Sequence, residues 1–448
     1  KRPPRTVVGP GENVNASIYP HGWTELVYDD SKWLTPKSLG RGVPYGAFTS
    51  WDWGLVPRNI PPMEYTLERI REVERAENTQ VNEEFLNGKK PLTIEPNSEV
   101  TIILDQTYLT TAYPEIIVSG GSGASIEISY AEAMVDENGI KGNRNVTRNK
   151  ELLSYYSDIF KPDGAKNRVY QPLWFRTYRY LELAIKTKND PLIINDFYGY
   201  FTAYPFKEKA VFQSDKSDLE DIWQVSWRTA RLCAGETYFD CPYYEQLQYV
   251  GDTRIQALIS LYVAGDDRLM RNSIDQFRNS ILPFGLTQSR YPSAQPQVIP
   301  PFSLIWIYMV HDFWMHRDDP EFVKKQLNGI RNVLYWYEQQ IDEKGMLGPM
   351  EWWNFVDWSF GPFSGEKPIG GTPSGARDGN SSIITLQYAY ALQKAAELFN
   401  KFDNYTLASH YKEIATSLIK NTAAFCWSDS EKLIADTPEK ETFSQHAN

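Results

Sequence analysis

"SDLEDIWQVSWRTARLCAG", residues 217–235, is where the sequence changes its period. Ser217 and Asp218 suit a helix start, Gly235 suits a helix end, and Leu219, Ile222, Trp223, Val225 and Ala230 are spaced for one buried stripe. On its N-terminal side the pattern is that of strands. "VTIILDQ" (100–106), "EIIVSGG" (115–121), "ASIEISYAEA" (124–133) and "YRYLELAIK" (178–186) alternate or run apolar over strand lengths, with Gly, Pro and Asn between them. On its C-terminal side helical spacing continues at about 252–264, 266–281, 301–317, 320–342, 381–401 and 404–427. The connections 282–300 and 343–380 are long and full of Pro, Gly and Trp, the kind of loop on which sites are built.

The expected organisation is therefore multidomain. Stacked β-sandwiches come first, as a β-rich accessory region over 1–88 and a sandwich over 89–212, and an all-α domain follows over 213–448. The charge-rich stretch 66–90 is expected to connect the two β-units. Helix pairs joined by alternately long and short connections fit an α/α toroid, of which only about seven helices precede Asn448.

The first long connection of the helical part carries "FDCPYYEQLQYVGDTR", residues 239–254. Offsets of five and seven leave Asp240 off the helical face that Glu245 and Asp252 share, and Pro242 disfavours a regular helix at the start. The economical picture is a loop bearing Asp240 and Glu245 that enters a helix near Gly251–Asp252, with all three acids facing one cavity. Clustered carboxylates repel one another, so such a cavity has a use for them. The plainer alternative is that they cap the helix and pair with Arg254.

Composition narrows the partner. A net charge of −11 over 448 residues argues against nucleic acid and anionic membranes, and no apolar run reaches spanning length. Aromatic residues make up 14%, with 14 Trp and 28 Tyr, and their flat faces edged by polar groups suit sugar rings as well as they fill cores. Cys233, Cys241 and Cys426 imply no disulfide framework, and the five histidines form no metal-ligand or phosphate-loop motif, so neither metal nor cofactor is expected. Cys241 has no matched His base in its motif. His311 and His316 stand on a helix without a partner motif and suit a core or surface role. The chain opens on Lys1, so it is silent about a removed signal peptide; a periplasmic or secreted location is expected, with a cytoplasmic one left open.

With "LVPRNIPPMEY" (55–65), "QPLWFRTYRYLEL" (171–183) and "EWWNFVDW" (351–358) beside it, the acidic motif resembles that of the α-L-rhamnosidases of glycoside hydrolase family 78. "YDDSKW" (28–33) likewise resembles a segment of the jelly-roll accessory domains of glycosidases. The resemblance implies an (α/α)6 barrel behind jelly-roll-like β-sandwiches, the barrel being incomplete in this chain. It implies Glu245 as general acid, and Asp240 and Asp252 as holders of sugar hydroxyls. Asp357 and Trp358 correspond to an Asp-Trp pair lining the sugar pocket. Tyr249 stands where the family commonly has Trp, and Tyr243–Tyr244 where a basic–acidic pair often precedes the acid.

The chemistry agrees with these roles. Cleaving a glycosidic bond needs a protonated carboxyl at the leaving oxygen and a second carboxylate across the ring. Asp240 and Asp252 beside Glu245 would raise its proton affinity, as a general acid requires. Trp353, in a loop without helical spacing, is a further binding candidate; Trp306, in "SLIWIYMVHDFW" (303–314), suits either the pocket or the core. The implied activity is exo-acting and inverting, on terminal L-rhamnose of glycosides or polysaccharides. Another (α/α)6 carbohydrate-active enzyme and a carbohydrate-binding protein are the competing readings. The general base of the family lies well downstream of the acid, and Glu439 and Glu441 are set in a charged, solvated stretch. The base is accordingly expected outside this chain.

Overall fold

The computed structural model describes residues 11–40, 43–44, 54–361 and 370–448; the loop expected over 343–380 thus includes 362–369, outside the described residues. The chain forms two compact units. The first runs to Pro205 and also takes in Arg231–Glu236 and Cys241–Gln246; the second comprises Phe206–Ala230, Thr237–Asp240 and Leu247–Asn448.

The first unit is built on one 22-residue strand, Glu99–Gly120. Its first half pairs antiparallel with Arg176–Lys186 and with Glu72–Glu77, and its second half with Leu192–Phe201 and Arg168–Tyr170. The halves meet near Thr107, whose φ of 70° is held by a 2.6 Å bond from its N–H to Asp105 Oδ1. Alternating β-branched and aromatic residues place Ile102, Leu104, Ile116 and Val118 inward with Ile128, Leu181, Leu183, Ile194 and Phe197, all buried. Strands from both sides of residue 88 share this sheet. The stretch 66–90, expected as a connector, supplies Thr66–Glu68 and Glu72–Glu77 to it, because its charges alternate with inward-facing apolar residues such as Val73. The β-rich expectation for 1–88 holds less well further upstream. Residues 16–40, "YDDSKW" included, are turns and bends without a strand, and Leu26, Val27 and Leu34 lie uncovered.

One polar cluster sits inside this apolar core. Asp158 receives Arg176 Nε and Nη2 at 2.9 and 2.8 Å, the Tyr130 hydroxyl at 2.7 Å and the Glu12 N–H at 2.7 Å. The pairing is bidentate and charge-assisted, which is how a buried charge becomes tolerable.

The second unit is helical. Ser217–Leu232 leads, followed by Val250–Val263, Arg268–Asn279, Pro300–His316, Pro320–Lys324, Leu327–Glu338, Ser382–Lys401 and Tyr405–Cys426. The helix expected over 320–342 is thus two, interrupted at Lys325–Gln326. Short links at 264–267, 317–319 and 402–404 close three hairpins, and the longer connections fall between hairpins. The tight links have local causes: Asp319 caps Phe322 N ahead of Pro320, and Asn404 caps Leu407 N. Pro300–His316 is apolar nearly all round and packs against Val250–Val263 and Ser382–Lys401, the position such a sequence requires.

One expectation fails here, and one open alternative resolves to the core. Ile222 and Val225 of the supposed buried stripe are 57% and 67% exposed, and the side chains this helix buries are Trp227, against Phe206, and Leu232. Trp306 is wholly buried and its indole N–H bonds to Ile274 O at 3.2 Å, so it is core and lines no pocket. A Cβ on Gly329 would come within 2.7 Å of its ring, so the glycine is what admits it. No helix among the described residues is long and apolar enough to cross a membrane, and the three cysteines are unbridged.

Candidate active site

The acidic motif folds as the sequence suggests at both ends. Asp240 and Leu247 clasp each other: Asp240 N donates to Leu247 O at 2.8 Å, and Leu247 N donates to Asp240 Oδ1 at 3.0 Å. The six residues between them form a loop that carries Glu245, and the helix then starts at Val250 with Asp252 in its first turn. A carboxylate there also complements the helix dipole. Asp240 and Asp252 belong to the helical unit, and Glu245, with the rest of Cys241–Gln246, to the β-unit. All three are half-buried.

The plainer use of these acids is not the one adopted. The helix N-cap is Tyr249, which makes no side-chain capping bond. Arg254 pairs with Asp312, Nε to Oδ2 at 2.7 Å, and lies over the Tyr308 ring. Burial among apolar neighbours pushes the Tyr308 hydroxyl well above its ordinary range. His311 is buried and bonds Glu397 at 2.7 Å, and His316 bonds the carbonyl of Asp312, which gives both histidines structural partners.

Within the helical unit, aromatic rings run from the motif to the Trp-rich loop. Tyr249 meets Phe302 edge-on at 6.3 Å, Phe302 meets Phe355 at 5.9 Å, and Phe355 touches both Trp353 and Trp358, at 5.2 and 5.1 Å. Gly251 makes the first of these contacts possible, since a Cβ there would stand 3.1 Å from the Phe302 ring. Tyr249 is also fixed from the other side by Arg290, which donates to its hydroxyl at 2.9 Å. Trp353 anchors the loop through its indole N–H to Gly370 O, while Trp358 stays 54% exposed. Trp352 stacks on Phe284 at 5.4 Å.

Asp357 is exposed and accepts from Ser359 N at 2.7 Å. That backbone bond holds its carboxyl below the usual carboxylate range, with His446 at 3.5 Å assisting. The structure thus joins Tyr249, Trp353, Asp357 and Trp358 in one unit. Phe302, Phe355, Arg290 and His446 were not singled out by sequence; Arg290 at least lies in a long loop already marked by its composition. Among the described residues no three His, Cys, Asp or Glu side chains are grouped to hold a metal ion.

Residues 207–446 match the family described as the bacterial alpha-L-rhamnosidase six-hairpin glycosidase domain. No curated protein matches the sequence. Among solved structures, a GH78 family rhamnosidase of Bacillus sp. GL1 superposes with a TM-score of 0.68 at 22% identity, over 80% of this chain and 36% of that one. A rhamnosidase from Klebsiella oxytoca with rhamnose bound gives 0.69 at 15% identity, over 87% and 75%. The Streptomyces avermitilis alpha-L-rhamnosidase complexed with L-rhamnose gives 0.66 at 16%, over 96% and 37%. The chain therefore spans little more than a third of the length of two of these relatives.

Proposed function

The chain belongs to the bacterial α-L-rhamnosidase family with a six-hairpin glycosidase domain, and from that premise we propose that the intact protein releases terminal α-L-rhamnosyl residues from glycosides or polysaccharides. The reaction is exo-acting and proceeds with inversion. Glu245 is the general acid that protonates the leaving oxygen, and Asp240 and Asp252 hold sugar hydroxyls through charge-assisted bonds. Tyr249, Trp353 and Trp358 offer ring faces to the sugar, and Asp357 a carboxylate acceptor. The three helix hairpins and the leading helix are part of an (α/α)6 ring. The second carboxylate that inversion requires is assigned to none of the residues described.

The observation that carries this reading is that the family match encloses the whole Asp240–Asp252 motif, the stretch that holds our candidate acid, Glu245. Aromatic contacts linking Tyr249 to Trp353 and Trp358 support a sugar-binding wall within the helical unit. The test is a panel of chromogenic glycosides with the intact protein. Turnover of the α-L-rhamnoside with formation of the β-anomer is expected. Cleavage of another sugar with none of the rhamnoside would replace the substrate, and sugar binding without any turnover would replace the enzyme by a binding protein.

A further inference from the structure

Glu245 sits on a six-residue loop, yet the residues on either side of it are fastened with more care than a surface loop needs. Pro242 O accepts two bonds, from Thr177 Oγ1 at 2.5 Å and from Gln246 Nε2 at 2.8 Å. Tyr243 is 1% exposed in the β-unit's core, where its hydroxyl donates to Tyr130 O at 2.6 Å and accepts from Tyr155 N at 3.4 Å. Beyond Glu245, Gln246 adopts φ 56°, a left-handed conformation that an ordinary side chain keeps only when its surroundings impose it. What imposes it is visible: its N–H donates to Cys241 O at 3.1 Å, and its Oε1 accepts from Trp174 Nε1 at 2.7 Å. Every one of these partners belongs to the same unit as Glu245.

The chemistry of position 246 is specific. One arm of the amide must donate, to Pro242 O, and the other must accept, from the Trp174 indole, and only an amide of this length does both. A Glu there would lose the donor and place a second carboxylate beside Glu245. Trp174 is 44% exposed, so its ring does little for the core; its N–H holds Gln246.

We infer that Gln246 and Trp174 are positioning residues for Glu245: together they fix the backbone from which the acid projects, so that the β-unit sets where the proton is delivered. The inference rests on Glu245 being the general acid. Proton delivery is sensitive to position, since a displacement of about 1 Å can cost on the order of 100-fold.

The test compares Trp174→Phe, which keeps the ring and removes the N–H, with Gln246→Met, which keeps the length and removes both polar ends. In the intact protein, kcat and KM are measured on an activated aryl rhamnoside and on an unactivated alkyl rhamnoside, with Glu245→Gln in parallel. Both variants are expected to lose about 10-fold or more in kcat on the alkyl substrate and less than about 3-fold on the aryl one, because only the poor leaving group needs the proton. KM should hold, and the melting temperature should move by less than about 3 °C. Equal losses on both substrates, or no loss on either, would overturn the inference while a leaving-group-selective Glu245→Gln leaves the acid assignment standing. A Glu245→Gln that shows no selectivity would take down the acid assignment, and this inference with it. Should Gln246→Met fail to fold, Trp174→Phe decides alone, its site being half exposed.

Discussion

Replacing Asp158 by Ala removes the acceptor on which the polar cluster of the β-unit converges, and the size of the loss follows from its surroundings. The carboxylate is fully buried and takes four hydrogen bonds, two from Arg176, one from the Tyr130 hydroxyl and one from the Glu12 N–H. Adding these at about 1.5–3 kcal/mol each for bonds to a charged group would give an unrealistic total, because the partners relax and part of each bond replaces one to water. The governing quantity is the charge left behind. Arg176 is 4% exposed, and stranding a buried charge costs about 3–5 kcal/mol. Glu12 Oε1, 3.5 Å from Arg176 Nη2, remains to neutralise part of it, which places the loss near the lower end, about 3 kcal/mol.

Urea unfolding followed by far-ultraviolet circular dichroism measures it, with Asp163→Ala as the control. Asp163 pairs with Arg168 just as closely, at 2.7 Å, but both are partly exposed, and that substitution should cost no more than about 1 kcal/mol. Equal midpoints for the two variants would refute the argument that burial, not geometry, sets the difference. Asp158→Asn, which preserves shape and loses charge, should fall between them. The cluster also leads toward the acid-bearing loop, since Tyr130 bonds Asp158 through its hydroxyl and Tyr243 through its carbonyl. A loss of activity in Asp158→Asn below its melting range is therefore expected.

Three further outcomes are expected. Trp306→Ala should cost about 3–5 kcal/mol by opening a cavity in the helical core, whereas Trp358→Ala, at a half-exposed ring, should leave stability within about 0.5 kcal/mol and raise KM; melting curves and kinetics on the same preparations check both. Asp240→Asn and Asp252→Asn should each weaken substrate binding and turnover together, by about 1.5–3 kcal/mol for a lost charge-assisted bond, read from kcat/KM. Asp163 is held down to about 2 by hydrogen bonds from Arg168. Its folded carboxyl is thus more acidic than the unfolded one at about 3.9, so the stabilisation is complete above pH ~4 and is lost as pH falls toward 2. Unfolding midpoints at pH 5 and pH 2.5 should diverge more in the natural protein than in Asp163→Asn.

How much of this could be read beforehand depended on whether the signal was local. The hairpins of the helical unit were legible because their stops are chemical: Pro320 after Asp319, and Asn404 immediately before the periodic run of Tyr405–Cys426. The roles of Ser217–Leu232 and Trp306 were not, because periodicity states that a face is apolar and never what covers it. Ile222 and Trp306 have the same helical spacing, and one is 57% exposed while the other is wholly buried. For the same reason the boundary near residue 88 looked like a change of domain: a charged run such as "EVERAE" reads as solvated until a partner strand, here Glu99–Gly120, shows which alternate residues turn inward.

The candidate site divides along the same line. Asp240, Glu245, Asp252 and the Trp-rich loop could be proposed from sequence because their residue types carry the chemistry wherever they are placed. Phe302 and Phe355 were missed because an apolar ring in an apolar helix or beside two tryptophans says nothing of its neighbour. Tyr243 was the most instructive omission. In the sequence it is one of two tyrosines before the acid, set apart from Tyr244 by nothing but position; in the structure it is buried among Tyr130, Tyr155 and Tyr156 while Tyr244 is 39% exposed. Burial lifts the Tyr243 hydroxyl well above its ordinary range, so it stays a neutral donor to Tyr130 O at any working pH. A hydroxyl that stays neutral keeps its bond, which makes this side chain suited to holding the Cys241–Gln246 loop still.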